Sequence, residues 1–524
     1  MHEIVTLQFG NQSNYIGTHF WNAQESYFTY TADEESAVDH DVHFRPGIGS
    51  DGSETFTPRV VIYDVKDNFG ALRQVNALYE IQNEDASPAG VWTSDPILHH
   101  HPAIPPHPYQ VALDAGTVPS PISAPSVRYW SDFNRVFYHP RSMVHLIPPT
   151  SHLSSTPSSQ VEPLDQWEVG EELFKSEDQE HDLIDRDLRL FVEECDQMQG
   201  FQILTGADDA WAAFAGRYVE SIRDEYGRKS IWIWGTEAVN RSESREKRRK
   251  QALNVARSTA IFASQASLYM PISTSPVNAL PWYVDRAMQT RWQTSGLQAT
   301  LIESVTLPTR LRNTSNQSRG LMIDIEPIFT NDAKRNILAA SMSASIPNEK
   351  DRVINGDSAR DHRMINGIDS DHESNAKEPE QLDIDLFHRT LGDPNQRRNA
   401  QQRTHIFSQV DVLRGDFVSS PSLQDPTDLD APIVQTYSSE LLFPRPSSFP
   451  NIFHFPSIDP ESGVEVKSAM SASTAVTDRL RFLADFARSS TNVDEREALR
   501  ADLLARSEEY VEGWEDEHYL SDDE

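Results

Sequence analysis

Gly10, Asn11, Gln12 and Ser13 separate two kinds of periodicity. Before them Val5, Leu7 and Phe9 alternate as in a strand, and after them Ile16 and Phe20 keep helical spacing. A strand, a glycine turn and a helix start form an anion cradle, because free backbone N–H groups and the helix dipole converge on one place. The chemistry on offer is the holding of a phosphate. His99, His100, His101 and His107 offer a second chemistry, metal binding. They lie among prolines with no periodic scaffold and no nearby Cys or Glu, so a linker is the simpler reading. Cys195 offers a nucleophile. It falls on the pattern Leu183, Ile184, Leu188, Phe191, Val192, the buried face of a helix, where a free thiol packs as a small hydrophobe. The run Arg245-Glu246-Lys247-Arg248-Arg249-Lys250 reads as an anion patch or a nuclear address, or more simply as an exposed loop leading into a helix from Leu253. No GxSxG, HExxH or Walker-type phosphate-loop pattern occurs.

The elements that position these groups alternate. A strand at 60–65 follows the first strand–turn–helix, and residues 165–235 then give a helix to about Cys195, a strand at 200–204, a helix with Phe214, Tyr218, Ile222 and Tyr226 on one stripe, and a strand at 230–234. Strand, helix, strand at this spacing predicts a parallel α/β sheet. A later strand is expected from Ile406 to Val412, with two helices after Ser468. Residues 31–57 form an acidic excursion, 86–126 are proline-rich and 148–163 are rich in Ser and Pro. The aromatic-dense stretch 128–146 between them is expected to be ordered. Residues 345–381 are polar and charged, which predicts disorder. Residues 507–524 carry nine acids and no Lys or Arg, which predicts a solvated tail.

Composition excludes several classes. The chain has 524 residues and a formal net charge of −34, which argues against a nucleic-acid binder and against a broad basic face on anionic lipid. One cysteine excludes an intramolecular disulfide and Cys-based zinc sites of the usual spacing. No run of about 18 uncharged apolar residues exists, so no spanning helix is expected. No Lys or Arg precedes Arg45, which is unlike an Arg-rich transit peptide.

Read in order, the blocks resemble a known family. MHEIVTLQFGNQSNYIGTHFW resembles the tubulin N-terminus, TPRVVIYDVKDNFGALR its V-P-R-A-V-x-V-D-L-E-P stretch, and MQGFQIL its L-Q-G-F-Q strand. VESIRDEYGRKSI resembles the helix that ends K-I-R-E-E-Y, and RTHIFSQVDVLRG the strand before F-R-G. The long insertions, the YWSDFNRVFYHPRSM block and FASQASLYMPI resemble the Misato family of tubulin-related proteins. The specific match covers about the first 320 residues.

The resemblance implies a tubulin-like α/β fold: a parallel-sheet nucleotide-type domain, then a smaller α/β domain and C-terminal helices. The expected units are residues 1–115 and 120–320 for the first domain, a linker at 345–381, the second region at 382–506 and an acidic tail at 507–524. It also locates the nucleotide loops. Tubulins hold GTP phosphates with G-G-G-T-G-S-G, where glycine lets the backbone approach closely. Here that loop aligns with residues 207–213, with only Gly206 nearby; Asp208 and Asp209 would repel an anion, and Trp211 would crowd it. Asp64 keeps the first acid of the D-L-E pattern and Lys66 replaces the second, while Gly10, Asn11 and Gln12 keep the first turn in outline. The expectation is therefore degenerate loops, no catalytic residue, no cofactor and no metal, with a Mg²⁺ bridging Asp208 and Asp209 as the one rescue. Family resemblance implies a role in mitochondrial distribution and inheritance of mitochondrial DNA, exercised through protein partners at the cytosolic face of mitochondria or in the cytoplasm. A GTP-binding filament former and a factor assisting cytoskeletal assembly stay open.

Overall fold

A computed structural model describes residues 2–29, 35–49, 52–76, 78–79, 104–147, 164–238, 243–276, 279–313, 318–331, 334–345, 382–389, 404–415, 432–455, 463–488 and 492–511. His99, His100 and His101, the stretch 148–163, residues 346–381 of the expected linker and residues 512–524 of the expected tail lie outside those residues; Ser345 instead ends a strand, and Ser507 and Tyr510, read as solvated tail, are buried.

The first sheet has six strands, all parallel. They are β1 (Ile4–Phe9), β4 (Val60–Val65), β5 (Met143–Leu146), β6 (Gly200–Gly206), β7 (Ser230–Glu237) and β8 (Leu268–Ser273), in spatial order β5-β4-β1-β6-β7-β8. Every residue of β1, β6, β7 and β8 is buried, as expected of strands covered by helices on both faces. The covering helices are α1 (Asn11–Glu25), α2 (Trp167–His181), α3 (Ala210–Glu225), α4 (Arg245–Gln265) and α5 (Arg291–Thr306). Units 1–115 and 120–320 thus share one sheet. Strand order reverses at β1: β4 and β5 lie on one side and β6 to β8 on the other. In such sheets the crevice outside the strand ends at the reversal is where ligands bind. Phe9 pairs with Thr205, so the loops after β1 and β6 stand side by side at that crevice.

The second sheet is mixed, in the order β10-β9-β13-β11-β12. Its strands are β9 (Ala339–Ser345), β10 (Ile384–Asp385), β11 (Ile406–Arg414), β12 (Ile433–Ser439) and β13 (Glu465–Ser473). The C-terminal helices α6 (Ala475–Ala487) and α7 (Val493–Glu508) pack on each other and on α4. β9 enters this sheet ahead of the boundary read at 382. Helix α5 lies between the sheets, against α1 on one side and β9, β11 and β13 on the other. Its Glu303 is fully buried and pairs with both Arg310 and Arg414, while Tyr27 Oη donates to it at 2.9 Å. With Gln24 Nε2 of α1 also donating to it at 3.2 Å, one carboxylate ties α1, α5 and β11 together.

Three local readings change. The excursion at 31–57 contains a hairpin, β2 (Phe44–Ile48) and β3 (Glu54–Pro58), held where Phe44 packs edge-on to Phe28. The basic run is helical: Ser244 Oγ accepts from the Lys247 N–H, so α4 begins at Arg245. The helix expected to reach Cys195 stops at His181, because Asp182 adopts a left-handed conformation (φ 48°). A π-turn at Ile184–Leu188 and a short helix at Arg189–Glu193 follow. Cys195 lies just beyond, half-buried, with its thiol donating to the Phe191 carbonyl and its pKa pushed up to about 11 by burial.

Candidate functional site

The loop after β1 is built around Gly10. Its φ of 83° and ψ of −177° fall in a region open essentially only to glycine. The Gly10 N–H donates to the Tyr63 carbonyl at 3.0 Å and its carbonyl accepts from the Asn14 N–H at 3.1 Å, which hands β1 directly to α1. The space a Cβ would need is already taken. It would stand 2.3 Å from Cδ1 of Trp211, whose indole is 4% exposed. The anticipated crowding is therefore literal: the ring fills the crevice between the two loops.

The loop after β6 is closed by its own side chains. A Cβ on Gly206 would lie 2.5 Å from Asp209 Oδ1, so the Asp209 carboxylate folds back over that glycine. The same oxygen accepts the Trp211 N–H at 3.0 Å and caps α3. The Ala210 N–H donates to the Leu164 carbonyl at 2.8 Å and the Ala212 N–H to the Asp209 carbonyl at 3.3 Å. The first three N–H donors of this helix, those of Ala210, Trp211 and Ala212, thus have internal acceptors. Asp208 turns away from the crevice. Its Oδ2 accepts the Ala238 N–H at 3.0 Å, and Asn254 donates to its carbonyl at 3.0 Å. Burial raises the pKa of both carboxyls, Asp209 to about 7, and their mutual repulsion raises that of Asp208 further.

The loop after β4 contributes Asp64, which is fully buried. Its Oδ1 accepts from the Val65 N–H at 2.8 Å and Asn68 at 2.7 Å, and its Oδ2 from Asn14 at 2.7 Å and Trp130 Nε1 at 3.2 Å. Burial nevertheless pushes its pKa up to about 6. With four donors in place, Asp64 organises the turn and has little left for a metal. At the end of β7, buried Glu237 pairs with Arg479 of α6, which also donates to the His388 carbonyl at 2.8 Å. The crevice is thus walled by the aromatic block through Trp130 and by the C-terminal helices through Arg479.

The structure brings Gly10, Gly206 and Asp209 together around Trp211 and sets Asp64 beside Asn14. Asn11 starts α1, and Gln12 turns to α5, where its Nε2 donates to Gln298 at 2.9 Å. Among the described residues no group of three or more His, Cys, Asp or Glu side chains could hold a metal. His107 instead caps a short helix, its Nδ1 accepting the Tyr109 N–H at 3.2 Å. Glu237 and Arg479 carry no sequence signal of their own, and Trp130 shows only as part of the aromatic block; the topology alone brings all three to the crevice. A cleft of about 950 Å³ lies elsewhere, between β5 and α2. Its Arg186 is spent on Asp187, which also lines the cleft.

Residues 2–115 match the Misato Segment II tubulin-like domain, and residues 119–311 match the Tubulin domain. Protein DML1 of Phaeosphaeria nodorum is 41% identical over 98% of each chain. Protein dml-1 of Neurospora crassa is likewise 41% identical over 98% of each chain. Protein dml1 of Schizosaccharomyces pombe is 33% identical over 60% of this chain and 67% of its own.

Proposed function

The chain belongs to the Misato family of tubulin-like proteins, and on that premise we propose that it is a non-enzymatic scaffold in the partitioning of mitochondria and the inheritance of mitochondrial DNA. The observation that carries the non-enzymatic part is Trp211 packed on Gly10 while Asp209 caps α3. A tubulin-like fold whose phosphate cradle is filled from within keeps its architecture and offers surfaces in place of a reaction. The cellular role comes from the family resemblance. In this reading the protein works through protein contacts, peripherally, at the cytosolic face of the mitochondrial outer membrane and in the cytoplasm. No helix among the described residues is long and apolar enough to cross a membrane, which supports a peripheral attachment.

Two measurements test this. Protease added to intact mitochondria digests the protein; protection until the outer membrane is ruptured contradicts the location. Cells carrying Asn11→Ala or Gln12→Ala inherit mitochondria normally; loss of inheritance with normal protein levels contradicts the scaffold.

One observation favours the nucleotide-binding alternative. The first turn of α1 has no side-chain cap, and Ser13 Oγ is buried with no partner among the described residues. A GTP-binding filament former would use those donors, and Trp211 would have to swing away from Gly10 to admit a phosphate.

A further inference from the structure

The described residues of this acidic chain include a concentrated basic face. Five of the first six residues of α4 are Arg245, Lys247, Arg248, Arg249 and Lys250. They crowd the end of the helix where the backbone dipole is positive, a place that disfavours cations. Lys247 is matched by Asp165 and Glu243, and Lys250 by Glu246. Arg245, Arg248 and Arg249 are exposed and have no ion-pair partner among the described residues. Three guanidiniums therefore face outward from a protein whose formal charge is −34.

We infer that this face docks the chain's own acidic segment, residues 512–524. That segment holds seven acids (Glu512, Glu515, Asp516, Glu517, Asp522, Asp523, Glu524) and no Lys or Arg. It leaves the described fold at Val511, just after α7. Helix α7 runs alongside α4 in the same direction: Arg257 pairs with Glu495, and farther along Arg506 donates to the Ala263 carbonyl. The segment therefore sets out near the far end of α4. Lys247 lies 16 residues back from Ala263, about 24 Å at 1.5 Å per residue. Thirteen extended residues reach about 43 Å. The last acids, Asp522, Asp523 and Glu524, can thus reach Arg245, Arg248 and Arg249, whereas Glu512 cannot. Arg side chains suit carboxylates because their planar fork donates to both oxygens at once.

Zero-length carbodiimide coupling of the full chain at low ionic strength, read by peptide mass spectrometry, tests the contact. The expected products join Lys247 or Lys250 to Asp522, Asp523 or Glu524. Their yield falls several-fold near 0.5 M NaCl, where the Debye length is only about 4 Å. A variant with Arg245→Glu, Arg248→Glu and Arg249→Glu keeps both lysines, loses no ion pair seen among the described residues and should show the same fall in yield. The inference is overturned if the terminal acids couple only to other lysines. It is equally overturned if the products appear only between isotope-labelled and unlabelled copies in a mixed sample, which would make a second copy the occupant. An unchanged yield in the triple variant also overturns it.

Discussion

Replacing Gly10 by Ala separates an intact cradle from a filled one. Two effects add in the single variant. Alanine at φ 83°, ψ −177° enters a region that costs of order 1–3 kcal/mol. The new Cβ also stands 2.3, 2.4 and 2.5 Å from three indole atoms of Trp211. Ordinary carbon contact begins near 3.5 Å, so the ring must retreat by about 1 Å in a packed core. Overpacking of that kind costs about 1–3 kcal/mol. Gly10→Ala should therefore lose about 2–6 kcal/mol in all. Trp211→Ala alone should lose about 3–5 kcal/mol through the cavity it leaves. In the double variant the clash disappears and only the backbone strain and the cavity remain. The double loss should fall short of the sum of the single losses by about 1–3 kcal/mol. Urea unfolding followed by far-ultraviolet circular dichroism measures all four corners of the cycle. Losses that add to within about 0.5 kcal/mol would show that the indole does not rest on Gly10.

Other perturbations have equally definite outcomes. Glu303→Gln leaves Arg310 and Arg414 buried without their counter-charge, and urea unfolding should show a loss of about 3–5 kcal/mol; a loss under 1 would refute the role given to that carboxylate. Asp209→Asn keeps the cap of α3 but removes a carboxyl whose folded pKa is raised to about 7. A raised pKa means the folded state binds the extra proton, so the wild-type contribution is fully present below about pH 4 and lost as pH rises through about 7. The variant should gain on the wild type across that window, by about 1–2 kcal/mol at pH 8 after allowing for partial exposure, and a difference independent of pH would contradict the assignment. Gln12→Ala removes one side-chain hydrogen bond to Gln298 and should cost only about 0.5–1.5 kcal/mol, read from the same unfolding curves.

Much of the first domain was legible because buried parallel strands announce themselves as apolar runs. Gly200 to Leu204 and Ser230 to Trp234 lie within β6 and β7, and the stripe Phe214, Tyr218, Ile222 lies on α3. The crowding of the first turn by Trp211 was legible too, since the ring aligned with a loop where tubulins carry glycine. What Asp208 does was not. Its carboxylate was expected at the crevice and instead satisfies the Ala238 N–H, a pairing decided by the approach of β7 in space. Arg479 was equally hidden, because it comes from a distant segment and means nothing locally, and the aromatic block around Trp130 announced order but not its place at Asp64. The start of α4 was misplaced because apolar periodicity begins only near Leu253, whereas a Ser244 cap and Lys–Glu pairs extend the helix back to Arg245. Strand β9, built of Ala and Ser around a single Met, has too weak an apolar signal to be read from the sequence.

Isothermal titration of the full chain with GTP and Mg²⁺ bears most directly on the filled cradle. With Trp211 against Gly10 and the first donors of α3 bonded internally, the titration should show no stoichiometric heat at micromolar protein. Stoichiometric binding with a micromolar dissociation constant would contradict the account.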